Sequence, residues 1–183
     1  MTPCSARLVF MVLLFVAAPA RAEVDETIET RTYEVRGSLA ADVRARLNAQ
    51  HKDGFDAQTT WNIAWRFKYS LRGPHCVIDS VRTQLAIVYE MPRLTTPNPV
   101  LQASFDAYLV KLRVHEDGHA GNGRAIARRI DAGIASLPPA ATCDKLGTAA
   151  NAFGTAMIAE GAKFDIDYDR RTSHGATQGA RWP

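Results

Sequence analysis

A long helical pattern in the second half of the chain constrains the fold more than any other sequence feature. Across residues 101–130, apolar side chains recur at steps of three or four, the spacing that places them along one face of an α-helix. Asn98 and Pro99, just before this pattern, are typical of a helix start. His115 and His119 stand in the stripe at positions where apolar residues would be expected. We therefore expect both imidazoles to face the protein interior.

The two histidines belong to a short motif, His115-Glu116-Asp117-Gly118-His119. Side chains four apart on a helix lie on one face, so both imidazoles can reach the same cation. This is the His-Glu-x-x-His arrangement of zinc hydrolases. We predict that His115 and His119 bind Zn²⁺ and that Glu116 is the general base, which takes a proton from the attacking water and passes it to the leaving amine. The competing interpretation is a helix with two incidental histidines and no metal.

A catalytic zinc site usually has three protein ligands and one open position, so a third ligand is needed. The extended metzincin pattern requires a histidine six residues after His119, and Ala125 occupies that position, which excludes that subclass. Glu160 is one remaining candidate, on a helix as in the glutamate-zincins, but no other part of that signature is present. The polar cluster at residues 168–175 offers both carboxylate and imidazole ligands. We favour this cluster.

The N-terminus has the features of a secretory signal peptide. Arg7 precedes an apolar run at residues 8–18, and small residues suited to cleavage follow up to Ala22. The run is only about half as long as the roughly 20 residues that a membrane-spanning helix needs. We predict a cleaved signal peptide at residues 1–22 and a mature domain at residues 23–183. The mature protein is expected to be secreted or periplasmic, without an integral membrane segment.

Cysteine usage agrees with export. Cys4 lies in the predicted leader, so Cys76 and Cys143 are the two cysteines that remain after cleavage. An even pair in an oxidising compartment predicts a disulfide bond between them.

The charge balance argues against a nucleic-acid partner. Loss of Arg7 and Arg21 with the leader reduces the 22 basic residues to 20, against 19 acidic ones, so the mature chain is nearly neutral. A neutral surface lacks the basic field that attracts nucleic acid. We therefore predict no nucleic-acid binding.

Three segments have the composition and periodicity of β-strands. Residues 27–36 are rich in β-branched and aromatic side chains. Residues 61–69 and 76–91 alternate apolar with polar positions, as strands with one buried face do. The turn at residues 72–74 joins these two segments as an antiparallel hairpin. We expect the aromatic stripe of residues 61–69 to belong to the core rather than to a substrate platform.

Two shorter helices complete the predicted fold. Leu39, Val43 and Leu47 repeat every four residues and predict a helix that ends near residue 50. Asp144 is the expected cap of another helix, and a flexible tail is the simplest alternative for the polar residues 165–183. The fold class is therefore α+β, with an antiparallel sheet packed on the long metal-bearing helix in a zincin-like single domain.

Several of these features together resemble one protein family. They are the His-Glu-Asp-Gly-His helix, Trp61 and Trp65 on the central strand, the two cysteines, and the ending Tyr168-Asp169-x-x-Thr172-x-His174-Gly175-x-x-Gln178-Gly179. With them, the sequence resembles the predicted secreted zinc-dependent proteases of domain of unknown function 922, over most of the mature chain. The resemblance implies a metallopeptidase that acts on peptide or protein substrates with Zn²⁺ as its cofactor.

The resemblance also implies roles for the C-terminal cluster. By position, His174 is the favoured third zinc ligand, because imidazole is a preferred zinc donor and Gly175 allows a tight turn beside it. Asp169 is the alternative ligand, or else accepts a hydrogen bond from a ligand histidine. Tyr168 is the candidate hydrogen-bond donor to the developing oxyanion. We therefore predict a secreted zinc-dependent metallopeptidase. The alternatives are a non-catalytic secreted binding module that contains zinc and an amidase that acts on cell-wall peptides.

Overall fold

The computed structural model describes residues 24–50 and 55–183. The predicted signal peptide and residues 51–54 lie outside the described residues. Three strands and three α-helices follow in the order β1 (Val24–Arg36), α1 (Ala40–Gln50), β2 (Gln58–Arg72), β3 (His75–Thr95), α2 (Pro99–Ala135) and α3 (Cys143–Thr172), and a 3₁₀ turn at Ala176–Gln178 comes last. The predicted α+β class is confirmed.

The sheet is mixed, and the prediction of a wholly antiparallel sheet is wrong. Its strand order is β1-β3-β2. β2 and β3 form the predicted antiparallel hairpin, with Gly73 at a φ of 61° in the turn. β3 lies between β1 and β2, so β1 pairs with β3. These two strands run in the same direction, and their pairing is therefore parallel. The alternation of apolar residues along β1 does not indicate which strand pairs with it.

α2 is a continuous helix with a buried stripe along its whole length. The Asn98 side chain accepts hydrogen bonds from the N–H groups of Val100 and Leu101, as predicted for its cap. Every predicted stripe position is buried: Leu101, Phe105, Tyr108, Leu112, His115, His119, Asn122, Ile126 and Ile130. Two glycines in the middle of α2 mark close packing rather than a helix end, since Gly118 lies against the Tyr168 ring and Gly123 against Trp61.

α3 begins at the disulfide and is longer than predicted. Cys76 and Cys143 are bonded, with their Cα atoms 5.1 Å apart, which confirms the predicted bridge. Thr142 rather than Asp144 caps the helix, through a hydrogen bond that its hydroxyl accepts from the Lys145 N–H. The helix continues to Thr172, so the alternative of a flexible tail from residue 165 does not hold for residues 165–172. Asp165 and Asp169 in those turns face the histidines of α2, whereas Arg170 and Arg171 are exposed.

Trp61 joins the sheet to both long helices. A Cβ added at Gly123 of α2 or at Gly161 of α3 would lie 2.8 or 2.9 Å from its indole ring. The indole N–H donates a hydrogen bond to the Asp165 carboxylate of α3 at 2.8 Å. The aromatic stripe of β2 therefore packs as core, as predicted, except at Tyr69, which is 46% exposed at its far end.

Among the described residues, no helix combines the length and the hydropathy required to cross a membrane.

Candidate metal centre

Two pairs of polar side chains face each other where α2 packs against α3. His115 and His119 stand four residues apart on α2, and Asp165 and Asp169 stand four residues apart on α3. This spacing places each pair on one face of its helix. Both histidines are buried, with 3% and 7% of their surfaces exposed. The helix interface therefore contains a polar cluster where an apolar core would otherwise continue.

Two imidazole nitrogens converge on one carboxylate oxygen in this cluster. Asp169 Oδ1 lies 3.1 Å from His115 Nε2 and 3.0 Å from His119 Nε2. The ligand atoms of these three residues all lie within 4.8 Å of one another, close enough to bind one metal ion. Two predicted ligands and the alternative ligand Asp169 are thus brought together.

The outer nitrogens of both imidazoles face oxygen acceptors. His115 Nδ1 lies 3.1 Å from Gln178 Oε1, and His119 Nδ1 lies 2.9 Å from Asp165 Oδ1. The amide nitrogen of Gln178 donates to the Tyr168 hydroxyl, so its oxygen is the atom that faces His115. A neutral imidazole carries one N–H and one lone pair, so with its proton on Nδ1 each ring would present its Nε2 lone pair to Asp169. In that tautomer the three inner atoms could act together as ligands of one cation.

The two imidazoles differ in their electrostatic surroundings. Burial lowers the pKa of His115, and the neighbouring His119 lowers it further. Burial also lowers the pKa of His119, but the carboxylates of Asp165 and Asp169 outweigh that effect, so the pKa of His119 is raised overall. His115 is therefore the imidazole of the pair that is harder to protonate.

A cleft of about 350 Å³ opens over the cluster. Glu116 lines it from α2, is only 2% exposed, and its Oε2 has no hydrogen-bond partner among the described residues. Burial raises the pKa of Glu116, and Thr59 and His119 oppose that rise only in part. A buried carboxyl with an unpaired oxygen and a raised pKa has the properties of an acid–base group.

His174 lines the same cleft but is not one of the three converging residues. Its Nδ1 lies 3.6 Å from Asp169 Oδ1, and half of its side chain is exposed. Its ring packs edge-on against Phe55, with ring centroids 4.5 Å apart. The role of His174 as a ligand stays a prediction, whereas Asp169 occupies the position beside both motif histidines.

Glu160 and Tyr168 do not line the cleft. Glu160 is exposed and forms a salt bridge with Arg129 at 2.6 Å, beside a separate groove. The Tyr168 ring stacks on the His115 ring, with centroids 5.0 Å apart, and its hydroxyl contacts the His115 carbonyl oxygen at 3.3 Å. Glu160 is therefore outside the cluster, and Tyr168 supports His115 from the side.

The sequence analysis missed the residues that orient the imidazoles. Asp165 and Gln178 contact their outer nitrogens, and the Thr172 hydroxyl lies 3.4 Å from His115 Nδ1. The spacing of four residues between Asp165 and Asp169 would indicate that both face the histidines, but only if the segment is helical. That indication is lost when the segment is interpreted as a flexible tail. Gln178 belongs to the C-terminal motif, without a residue pattern that indicates its contact.

Three consecutive left-handed residues end α3 and turn the chain back towards α2. Ser173, His174 and Gly175 have φ values of 50°, 51° and 83°. This conformation costs a non-glycine residue about 1–2 kcal/mol, and the hydrogen bond from the His174 N–H to the Asp169 carbonyl offsets part of it. A Cβ at Gly175 would lie 2.9 Å from the His115 Cβ, so the turn passes directly against the motif helix. This turn carries Gln178 to His115.

Comparison with protein families gives a match that covers the cluster. A family model described as a bacterial protein of unknown function (DUF922) matches residues 30–175. No curated protein and no solved structure matches the chain.

Proposed function

The chain belongs to the DUF922 family of bacterial proteins of unknown function, whose model matches well over half of it, and from this premise we propose that it is an exported zinc-dependent peptidase. One observation carries the proposal: two imidazole nitrogens converge on one carboxylate oxygen beside a buried glutamate, inside a cleft. The Cys76–Cys143 disulfide supports an oxidising compartment outside the cytoplasm.

Two distances between the converging atoms are close to those between the ligands of a zinc ion. Tetrahedral ligands that lie 2.0–2.1 Å from zinc are about 3.3 Å from one another, and the Nε2 atoms of His115 and His119 lie 3.1 and 3.0 Å from Asp169 Oδ1. Asp165 and Gln178 accept the outer N–H groups, the arrangement that orients ligand histidines in zinc sites. We propose Asp169, rather than His174, as the third ligand, which leaves a fourth position open towards the cleft.

Glu116 is the residue that would move the proton. A bound zinc ion would polarise the substrate carbonyl and lower the pKa of a water molecule towards 7. Glu116 would take a proton from the attacking water as its oxygen bonds to the carbonyl carbon, and would donate it to the amide nitrogen as the C–N bond breaks. The raised pKa of Glu116 suits both steps, because its acid form persists closer to neutral pH.

The position of β2 supports a peptide as the substrate. β2 pairs only with β3 among the described strands, so its other edge has free backbone groups. Gln58 and Thr59, at its start, line the cleft. An extended peptide can add to such an edge through backbone hydrogen bonds, which would bring one of its carbonyl groups to the metal centre.

A closed zinc site in a binding module is the second candidate, and the position of His174 favours it. Its Nδ1 is 3.6 Å from Asp169 Oδ1, so a small movement of the ring would add a fourth protein ligand. A site with four protein ligands leaves no position for water and is structural.

Zinc content and peptide hydrolysis of the purified mature protein test the proposal. We expect about one zinc ion per chain, which His115→Ala or His119→Ala removes. Glu116→Gln should keep the zinc and abolish cleavage of fluorescein-labelled casein, while Glu160→Gln, an exposed glutamate outside the cluster, should leave both unchanged. A wild-type protein that binds zinc and cleaves neither casein nor a peptide library would favour the binding module, and absence of zinc would refute both candidates.

A further inference from the structure

Two buried polar atoms in the cleft lack hydrogen-bond partners among the described residues. They are Thr59 Oγ1, on β2, and Glu116 Oε2, on α2. Both residues line the cleft over the candidate metal centre. Buried hydroxyl and carboxyl oxygens are nearly always hydrogen-bonded, because an unpaired one loses its hydration without compensation. Two such atoms in one cleft therefore require an explanation.

The fold brings these two residues to the same place. Trp61, two residues after Thr59 on β2, packs against Gly123 of α2, so the odd-numbered side chains of this part of β2 face the helices. Burial raises the pKa of Glu116, and the Thr59 hydroxyl is close enough to oppose that rise. Thr59 on β2 and Glu116 on α2 therefore line the same cleft from two elements that pack against each other.

We propose that Thr59 is a positioning residue for Glu116: rotation of the two side chains would let its hydroxyl donate a hydrogen bond to Oε2, which would hold the carboxyl group with Oε1 towards the cleft. One O–H donor and one carboxyl acceptor satisfy each other, which accounts for both unpaired atoms. The terminal torsion of a glutamate is otherwise broad, so a fixed donor determines which oxygen faces the substrate. The inference rests on the proposed function, in which Glu116 takes and returns the proton.

Conservative substitutions at Thr59 separate this role from simple packing. Thr59→Val keeps the β-branched shape and removes only the hydroxyl, and Thr59→Ser keeps the hydroxyl and removes only a methyl group. Thr60→Val is the matched control, because Thr60 is the next residue on β2, is exposed, and points to the opposite face.

Steady-state kinetics of the zinc-loaded mature protein on a cleaved peptide give the first test. Thr59→Val should lower kcat about tenfold with little change in KM, because the lost hydrogen bond orients the reacting carboxyl and does not bind substrate. Thr59→Ser should retain kcat within about threefold, and all variants should keep their zinc. A wild-type kcat in Thr59→Val, or equal losses in the serine and valine variants, would overturn the proposal.

Thermal unfolding of the metal-free protein gives a second test that does not depend on activity. If Thr59 donates to Glu116, Thr59→Val leaves a buried oxygen without its donor and lowers the midpoint by about 3 °C. The same substitution should not lower the midpoint in a Glu116→Leu background. A midpoint that rises or stays the same in Thr59→Val would show that no such bond exists. An inactive wild-type protein would refute the proposed function, whereas this comparison would still decide whether Thr59 holds Glu116.

Discussion

Replacement of Asp165 tests how strongly the metal centre depends on a residue that would not touch the metal. Its Oδ1 faces His119 Nδ1 at 2.9 Å, and its Oδ2 accepts a hydrogen bond from Trp61 Nε1 at 2.8 Å. Asp165→Ala leaves His115, His119 and Asp169 in place but removes the acceptor that keeps the His119 Nε2 lone pair directed at the metal position.

The expected loss of zinc affinity is about tenfold. Removal of an acceptor behind a ligand histidine typically lowers metal affinity 10–100-fold, or about 1.4–2.7 kcal/mol. The Asp165 side chain is 21% exposed, so water can replace part of the lost hydrogen bond to His119, which places the effect near the lower end. The indole of Trp61 also loses its acceptor, which should cost about 1 kcal/mol of folding stability.

Competition with a chromophoric chelator measures this change. Asp167→Ala is the matched control, because Asp167 lies on the same helix but its carboxylate is exposed and pairs with Arg171. We expect the control to bind zinc as the wild type does. Wild-type zinc affinity in Asp165→Ala, or an equal loss in Asp167→Ala, would refute the argument that Asp165 orients His119.

His174→Ala should retain its zinc, with affinity changed by no more than about threefold in the same competition assay. The His174 side chain is half exposed, so water screens its contact with Asp169. Loss of zinc would instead identify His174 as a ligand. Glu116→Gln should raise the thermal midpoint of the metal-free protein at pH 7 but not below pH 4.5. The pKa of Glu116 in the folded state is raised above 4.5, so the wild type loses stability as the pH rises through that pKa. Equal midpoints of the two proteins at pH 7 would contradict this. Gly118→Ala should cost about 1–3 kcal/mol in urea unfolding, because its methyl group would meet the Tyr168 ring. Gly121→Ala meets nothing within 4 Å and should stabilise α2 by up to about 1 kcal/mol; equal effects of the two substitutions would contradict the packing argument.

Local signals predicted the elements that support the site. The three- to four-residue periodicity located α2 and its buried histidines, and Asn98 marked its start, because both signals depend on neighbours within one or two helical turns. The β2–β3 hairpin followed from alternation on either side of Gly73. The parallel pairing of β1 with β3 was not predictable in this way, since it depends on contacts between segments far apart in the chain.

The set of converging ligand atoms could be predicted only in part, because it depends on where α3 ends. Asp169 and His174 are five residues apart in one polar segment, and both are chemically able to bind zinc. Since α3 continues to Thr172, Asp169 shares a helical face with Asp165 and points at α2. His174 lies beyond the helix, within the left-handed turn, and packs on Phe55 instead. The last turns of α3 have a polar buried face, so the apolar stripe that usually identifies a helix in a sequence is missing there.

Anomalous diffraction at the zinc absorption edge, from crystals of the zinc-loaded mature protein, tests the central claim most directly. We expect one peak about 2.0–2.2 Å from the Nε2 atoms of His115 and His119 and from Asp169 Oδ1, with a fourth position that faces the cleft and Glu116. A peak ligated by His174 as well, with no open position, would contradict the catalytic account. Absence of a peak among these residues would contradict the metal centre itself.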